Sequence, residues 1–161
     1  MTDFAQSWTL SRQRFVDEIK DLSDAQLQWR MHPGSLSIGQ MALHVAGVEV
    51  SFSSQLLGIE LDAERARLRK AATDGVVNDK PFPWEDSQIT ALLVSESLSG
   101  SKAMVEPVLT DPSAQILEKQ LQSALGPVIT GQGALARLGF HSAYHQGQAY
   151  LMKTSPAFPK A

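Results

Sequence analysis

The segment "HSAYHQGQAYLMK", residues 141–153, sets two imidazoles four residues apart in a stretch that also carries Ala149 and Met152. On an α-helix, residues four apart differ by about 40° in direction and one turn in height. His141 and His145 therefore project from one face. Ala134, Leu138, Gln148 and Met152 continue that face in steps of three and four. A third histidine, His44, sits between Met41 and Val48 in "IGQMALHVAGVE". Polar rings on core-facing stripes need partners. A lone buried histidine ordinarily finds a carbonyl or hydroxyl, but three of the chain's four histidines share this placement. A metal explains the trio economically. Neutral imidazole suits zinc, nickel, iron and copper. A pair at i, i+4 offers two ligands from one rigid element, and a facing helix supplies the third. Three protein ligands leave positions for water or substrate, which is the pattern of a catalytic rather than a structural metal site.

Several chemistries drop out. The chain has no cysteine, so thiolate ligands, disulfides and a cysteine nucleophile are excluded. A zinc peptidase of the H-E-x-x-H type needs glutamate directly after the first histidine, and Ser142 stands there. A di-iron carboxylate bundle needs inward glutamates, and the helix of His141 and His145 has none. The fourth histidine, His32 in "RMHPGS", precedes a proline in a loop and reads as exposed or as a local cap. Other polar residues near the trio are weaker candidates. Glu49 points about 140° away from His44 on a helix, Glu96 faces either the site or solvent, and Tyr144 and Gln148 flank the histidine pair as hydrogen-bond partners.

Four long amphipathic helices must carry these residues. The first starts at Thr2 or Asp3, shows Phe4, Trp8, Phe15 and Ile19 on one face, and ends near Leu22. Ser23 and Gln26 fit a capping box opening a short turn. The second long helix starts at Ser35 or Ser37 and stops at Gly58. Some 27 residues follow, with a charged surface helix in "LDAERARLRKAA" and a break at "DKPFPWED". The third helix starts at Asp86 or Ser87, carries Ile89, Leu92, Leu93 and Met104 inward, and stops by Asp111-Pro112. Residues 113–133 read equally as a strand pair or an irregular loop. The last helix runs from about Gly131 to Lys153.

This pattern predicts an all-α chain of one domain over residues 1–161, a single four-helix bundle. The long link between the second and third helices suits a crossover that leaves those two parallel. A net charge of −3 gives no footprint for nucleic acid. No apolar run reaches membrane-span length, and the start lacks a signal peptide's basic and apolar regions. A cytoplasmic protein acting on a small molecule is expected.

The mid-helix histidine in "IGQMALHVAGVE", the later H-x-x-x-H-x-G-Q, and Trp29 ahead of a Pro-Gly loop in "WRMHPGSLSIGQ" together resemble the DinB/YfiT-like superfamily of metalloenzymes. The resemblance covers nearly the whole chain. It implies an up-down-down-up four-helix bundle with His44, His141 and His145 as metal ligands. It also implies nickel or zinc as the metal, a homodimer, and an S-transferase using a low-molecular-weight thiol or a related enzyme. Trp8 and the apolar content are further grounds for the dimer. The alternative is a non-catalytic metal- or small-ligand-binding protein, and the trio's bland reading is three internally hydrogen-bonded rings.

Overall fold

Every α-helix begins on a side chain whose oxygen accepts a backbone N–H that the helix cannot itself satisfy. The computed structural model describes residues 2–160. In it, Thr2 caps α1 (Asp3–Ile19), Ser23 caps α2 (Asp24–Gln28), Ser37 caps α3 (Ile38–Leu57) and Asp62 caps α4 (Ala63–Lys70). Thr90 caps α5 (Ala91–Thr110), Ser113 caps α6 (Ala114–Glu118) and Thr130 caps α7 (Gly131–Lys153). Both Ser23–Gln26 and Ser37–Gln40 close as reciprocal capping boxes. Gly58 ends α3 with φ of +66°, a left-handed conformation that glycine adopts without a steric penalty.

Two expectations need correcting. The first concerns the start of the third long helix. Asp86 and Ser87 lie in a single 3-10 turn, Asp86–Gln88, and α5 begins only at Ala91. Asp86 is not free to cap, because Arg30 grips its carboxylate with Nε at 3.2 Å and Nη2 at 2.6 Å. Of the expected stripe only Leu92 turns out, at 65% exposure: Ile89 is buried, and Leu93 and Met104 pack against the core that also takes Val94 and Leu98. Second, residues 113–133 hold the strand pair rather than the irregular loop, with β1 (Gln120–Gln122) antiparallel to β2 (Val128–Thr130) around Gly126, and they add a short helix, α6, that neither alternative included. The chain is thus mostly helical with one small hairpin.

Packing divides into two apolar clusters. One gathers the first turns of α1 and α7 (Ala5, Trp8, Ala134, Leu135) with the last turns of α3 and α5 (Phe52, Leu56, Val105, Leu109). The other gathers the opposite ends, Phe15 and Ile19 with Ile38 and Met41, Val94 and Met152. Trp8 lies inside at 2% exposure, so it offers no surface to a second copy. Among the described residues, no helix is long and apolar enough to cross a membrane.

Between the clusters sits a buried polar knot. Glu49 on α3, 1% exposed, accepts from Trp8 Nε1 at 2.9 Å, Arg12 Nε at 2.8 Å and the Ser101 hydroxyl. Arg12 also donates to the Leu98 carbonyl. The knot ties α1, α3 and α5 together and accounts for Glu49, which is held by this network and is not available as a base. Removing one partner from such a pair strands the other in low dielectric. Glu49→Gln is therefore expected to cost about 3–5 kcal/mol in urea unfolding. The double replacement Arg12→Met/Glu49→Leu should cost less than Glu49→Gln alone.

Candidate metal centre

Helix α3 is buried on nearly all sides, which carries His44 into the interior at 5% exposure. Helix α7 brings His145, 4% exposed, and the half-buried His141 from the opposite direction. The three rings meet with centroids 4.7–5.1 Å apart. Nε2 of His141 lies 3.0 Å from Nε2 of His44 and 3.2 Å from Nε2 of His145.

Two of the rings have their tautomer set from behind. Nδ1 of His44 is 2.8 Å from the Ala71 carbonyl oxygen, which only accepts, so Nδ1 carries the proton. Nδ1 of His145 is 2.7 Å from Oε1 of Gln148, with the same consequence. Both Nε2 atoms therefore present lone pairs to the shared centre. His141 can place at most one proton there and aim it at one neighbour. At least one lone pair is left without a donor.

Charging a ring would supply a proton, and burial opposes it. Desolvation, reinforced by the neighbouring rings, pushes the His141 pKa down to about 2. Desolvation and the nearby His44 push His145 down to about 4, against the bond to Gln148. Burial also lowers His44, against the pull of the Ala71 carbonyl. The centre is a set of neutral nitrogen acceptors, each within 4.8 Å of the others, with room for one cation between them. Metal–nitrogen bonds of 2.0–2.1 Å put ligand atoms about 3.3–3.4 Å apart in tetrahedral geometry and about 2.9 Å apart at right angles. The two shortest separations fall between these values and all three donors lie within 4.8 Å of one another, so the set can hold a divalent transition metal.

The sequence profile of the DinB superfamily matches residues 7–149, a span that includes all three histidines. The chain belongs to the DinB superfamily. Two solved structures share the fold. A conserved protein from Enterococcus faecalis is 19% identical, with a TM-score of 0.68 over 92% of this chain and 91% of that one. A DinB-like protein from Bacillus cereus is 18% identical, with a TM-score of 0.64 over 98% and 95%. A comparison with curated proteins finds no match.

The remaining candidates of this DinB superfamily member separate clearly. Gln148 holds His145, and Tyr144 packs edge-on against the same ring at 5.1 Å. Glu96 is exposed on α5 and does not line the cavity beside the histidines. His32 is exposed in a turn closed by Ser35, away from the centre.

Three features escaped the sequence reading. Ala71 lies in the link after α3, where only folding shows which carbonyl reaches His44. Gly47 makes that reach possible. A Cβ there would clash with the Leu68 carbonyl and stand 2.9 Å from the Ala72 nitrogen, so α3 and the end of α4 meet backbone to backbone. A glycine in mid-helix, three residues after a histidine, was a legible signal. The third is a cavity of about 390 Å³ beside His44 and His141, walled by Val48, Phe52, Val77, Leu125 and Phe140 and edged by Arg137.

Gly47→Ala should force α4 away and remove the Ala71 acceptor. Zinc affinity, measured against a competing chelator, is expected to fall about 10–100-fold, the range for losing such an outer hydrogen bond. Gly147→Ala, where a Cβ meets open space, should leave zinc affinity unchanged and add up to about 1 kcal/mol of stability.

Acid should destabilise the metal-free protein. Unfolded histidines protonate near pH 6.5, whereas folded His141 and His145 stay neutral to about 2 and 4. The unfolded state therefore binds more protons below pH 6.5. Stability is full above that pH and falls as pH drops from 6.5 toward 4, by about 1.4 kcal/mol per unit for each ring. Urea unfolding across this range should show the slope, and His141→Gln/His145→Gln should flatten it.

Proposed function

We propose that this chain is a metal-dependent enzyme acting on a small molecule, with His44, His141 and His145 holding nickel or zinc and a low-molecular-weight thiol as co-substrate. The observation that carries this reading is the excess of lone pairs over protons at the centre the three rings share, which a cation satisfies and no proton arrangement of neutral rings does. A divalent metal held there supplies a positive charge that lowers the pKa of a bound thiol or water.

The chain's own residues supply the rest. The Ala71 carbonyl and Gln148 keep the two Nδ1 protons in place, so Nε2 faces inward without rearrangement. Most of the side chains lining the cavity are apolar and offer a hydrophobic surface to a ligand. Among the described residues no carboxylate lines that cavity. A metal that lowers the pKa of a bound thiol or water lets either lose its proton without a dedicated base. The same lack of a base supports the alternative, a non-catalytic metal- or small-ligand-binding protein. Metal-dependent consumption of an electrophile in a thiol screen would rule that alternative out.

The first turns of α1 and α7 meeting the last turns of α3 and α5 support an up-down-down-up four-helix bundle, in which the long link between α3 and α5 is a crossover.

Protein purified without a nickel column should contain, or take up on titration, one equivalent of zinc or nickel. At a hundredfold excess of free metal over Kd, the gain in unfolding free energy should be about 2.7 kcal/mol. His141→Gln should abolish both. Less than a tenth of an equivalent after titration would overturn the proposal.

A further inference from the structure

Arg137 lies on α7 one turn before His141, so the two share a face about 6 Å apart along the axis. It is the one charged side chain lining the cavity that His44 and His141 also line. A guanidinium has five N–H donors. In the fold Arg137 uses Nη1 on the Ser123 hydroxyl at 2.6 Å. None of the ion pairs among the described residues includes it. A permanent cation at the edge of an apolar cavity, held in place by one neutral hydroxyl and facing no carboxylate, is a half-built ion pair.

The cavity describes the other half. Its wall is apolar, and two of its members, Phe140 and Leu125, are 64% and 70% exposed, so they wait at the mouth for an apolar partner. Arg137 is the only cationic side chain lining the cavity, so an anionic group entering it has one side chain to pair with. The planar fork matches a carboxylate in two parallel hydrogen bonds. The volume of about 390 Å³ takes a compact molecule.

We propose that Arg137 is a specificity-determining residue: it pairs with the carboxylate of a small apolar monocarboxylic acid whose opposite end reaches the histidine centre. This rests on the metal-dependent reading above for what happens at that opposite end, but the pairing itself is a property of Arg137 and its cavity.

The test uses calorimetric titration of the zinc-loaded full chain with 4-(mercaptomethyl)benzoate and its neutral partner, benzyl mercaptan. The wild type should bind the acid at least tenfold more tightly. Arg137→Met, which keeps an apolar stem, should bind the two equally, with zinc uptake and affinity for benzyl mercaptan unchanged. Arg137→Lys, which keeps the charge without the fork, should fall between them and serves as the readout should the methionine variant not fold. No preference in the wild type, or a preference that survives in Arg137→Met because the carboxylate goes to the metal, would overturn the proposal. Metal-free protein titrated with 4-ethylbenzoate separates the two readings. Failure of zinc uptake with Arg137-dependent binding of 4-ethylbenzoate would sink the metal reading and leave this one standing. Zinc uptake without any Arg137 dependence would do the reverse.

Discussion

The tautomers of two imidazoles govern the centre. Once the Ala71 carbonyl and the Gln148 amide oxygen take the Nδ1 protons, the inward nitrogens of His44 and His145 can only accept. His141, 3.0 and 3.2 Å from them, cannot satisfy both. Burial closes the remaining route by making imidazolium costly. Three features of the fold serve this imbalance. The almost fully buried α3 takes His44 out of water, the long α7 delivers two rings from one rigid face, and Gly47 lets the end of α4 come near enough to fix the first tautomer.

A second polar group is buried for a different reason. Glu49 is five residues from His44 on the same helix, yet it is saturated by Trp8, Arg12 and Ser101. The two groups divide the interior of α3. One face carries a complete network that fixes how α1, α3 and α5 lie together. The other carries an incomplete one that is left open to an outside molecule. Satisfied polar groups specify structure, and unsatisfied ones at a cavity invite ligands.

Much of this was legible in the sequence, through mechanisms that act locally. Ser23, Ser37 and Gly58 mark helix ends because caps depend on residues three or four apart. The inward direction of His141 and His145 follows from helix periodicity. What depended on distant partners was not legible. Asp86 looks like a cap until Arg30, 56 residues away, claims its carboxylate. Trp8 looks available for an interface until Glu49 accepts its indole proton. The carbonyl of Ala71 has no side-chain signature, and nothing local says it will meet His44. Residues 113–133 mix β-branched, apolar and glycine residues too briefly for either period to dominate.

The tip of the β1–β2 hairpin supplies Ser123, Ala124 and Leu125 to the cavity, while the histidines come from α3 and α7. One wall of the cavity is thus set by a stretch of chain that carries none of the three histidines. Residues added or removed around Gly126, where a Cβ would touch nothing, change loop-closure entropy by only about 0.6 kcal/mol per doubling of length. That wall of the cavity can be redrawn by such insertions while the imidazole trio stays as it is.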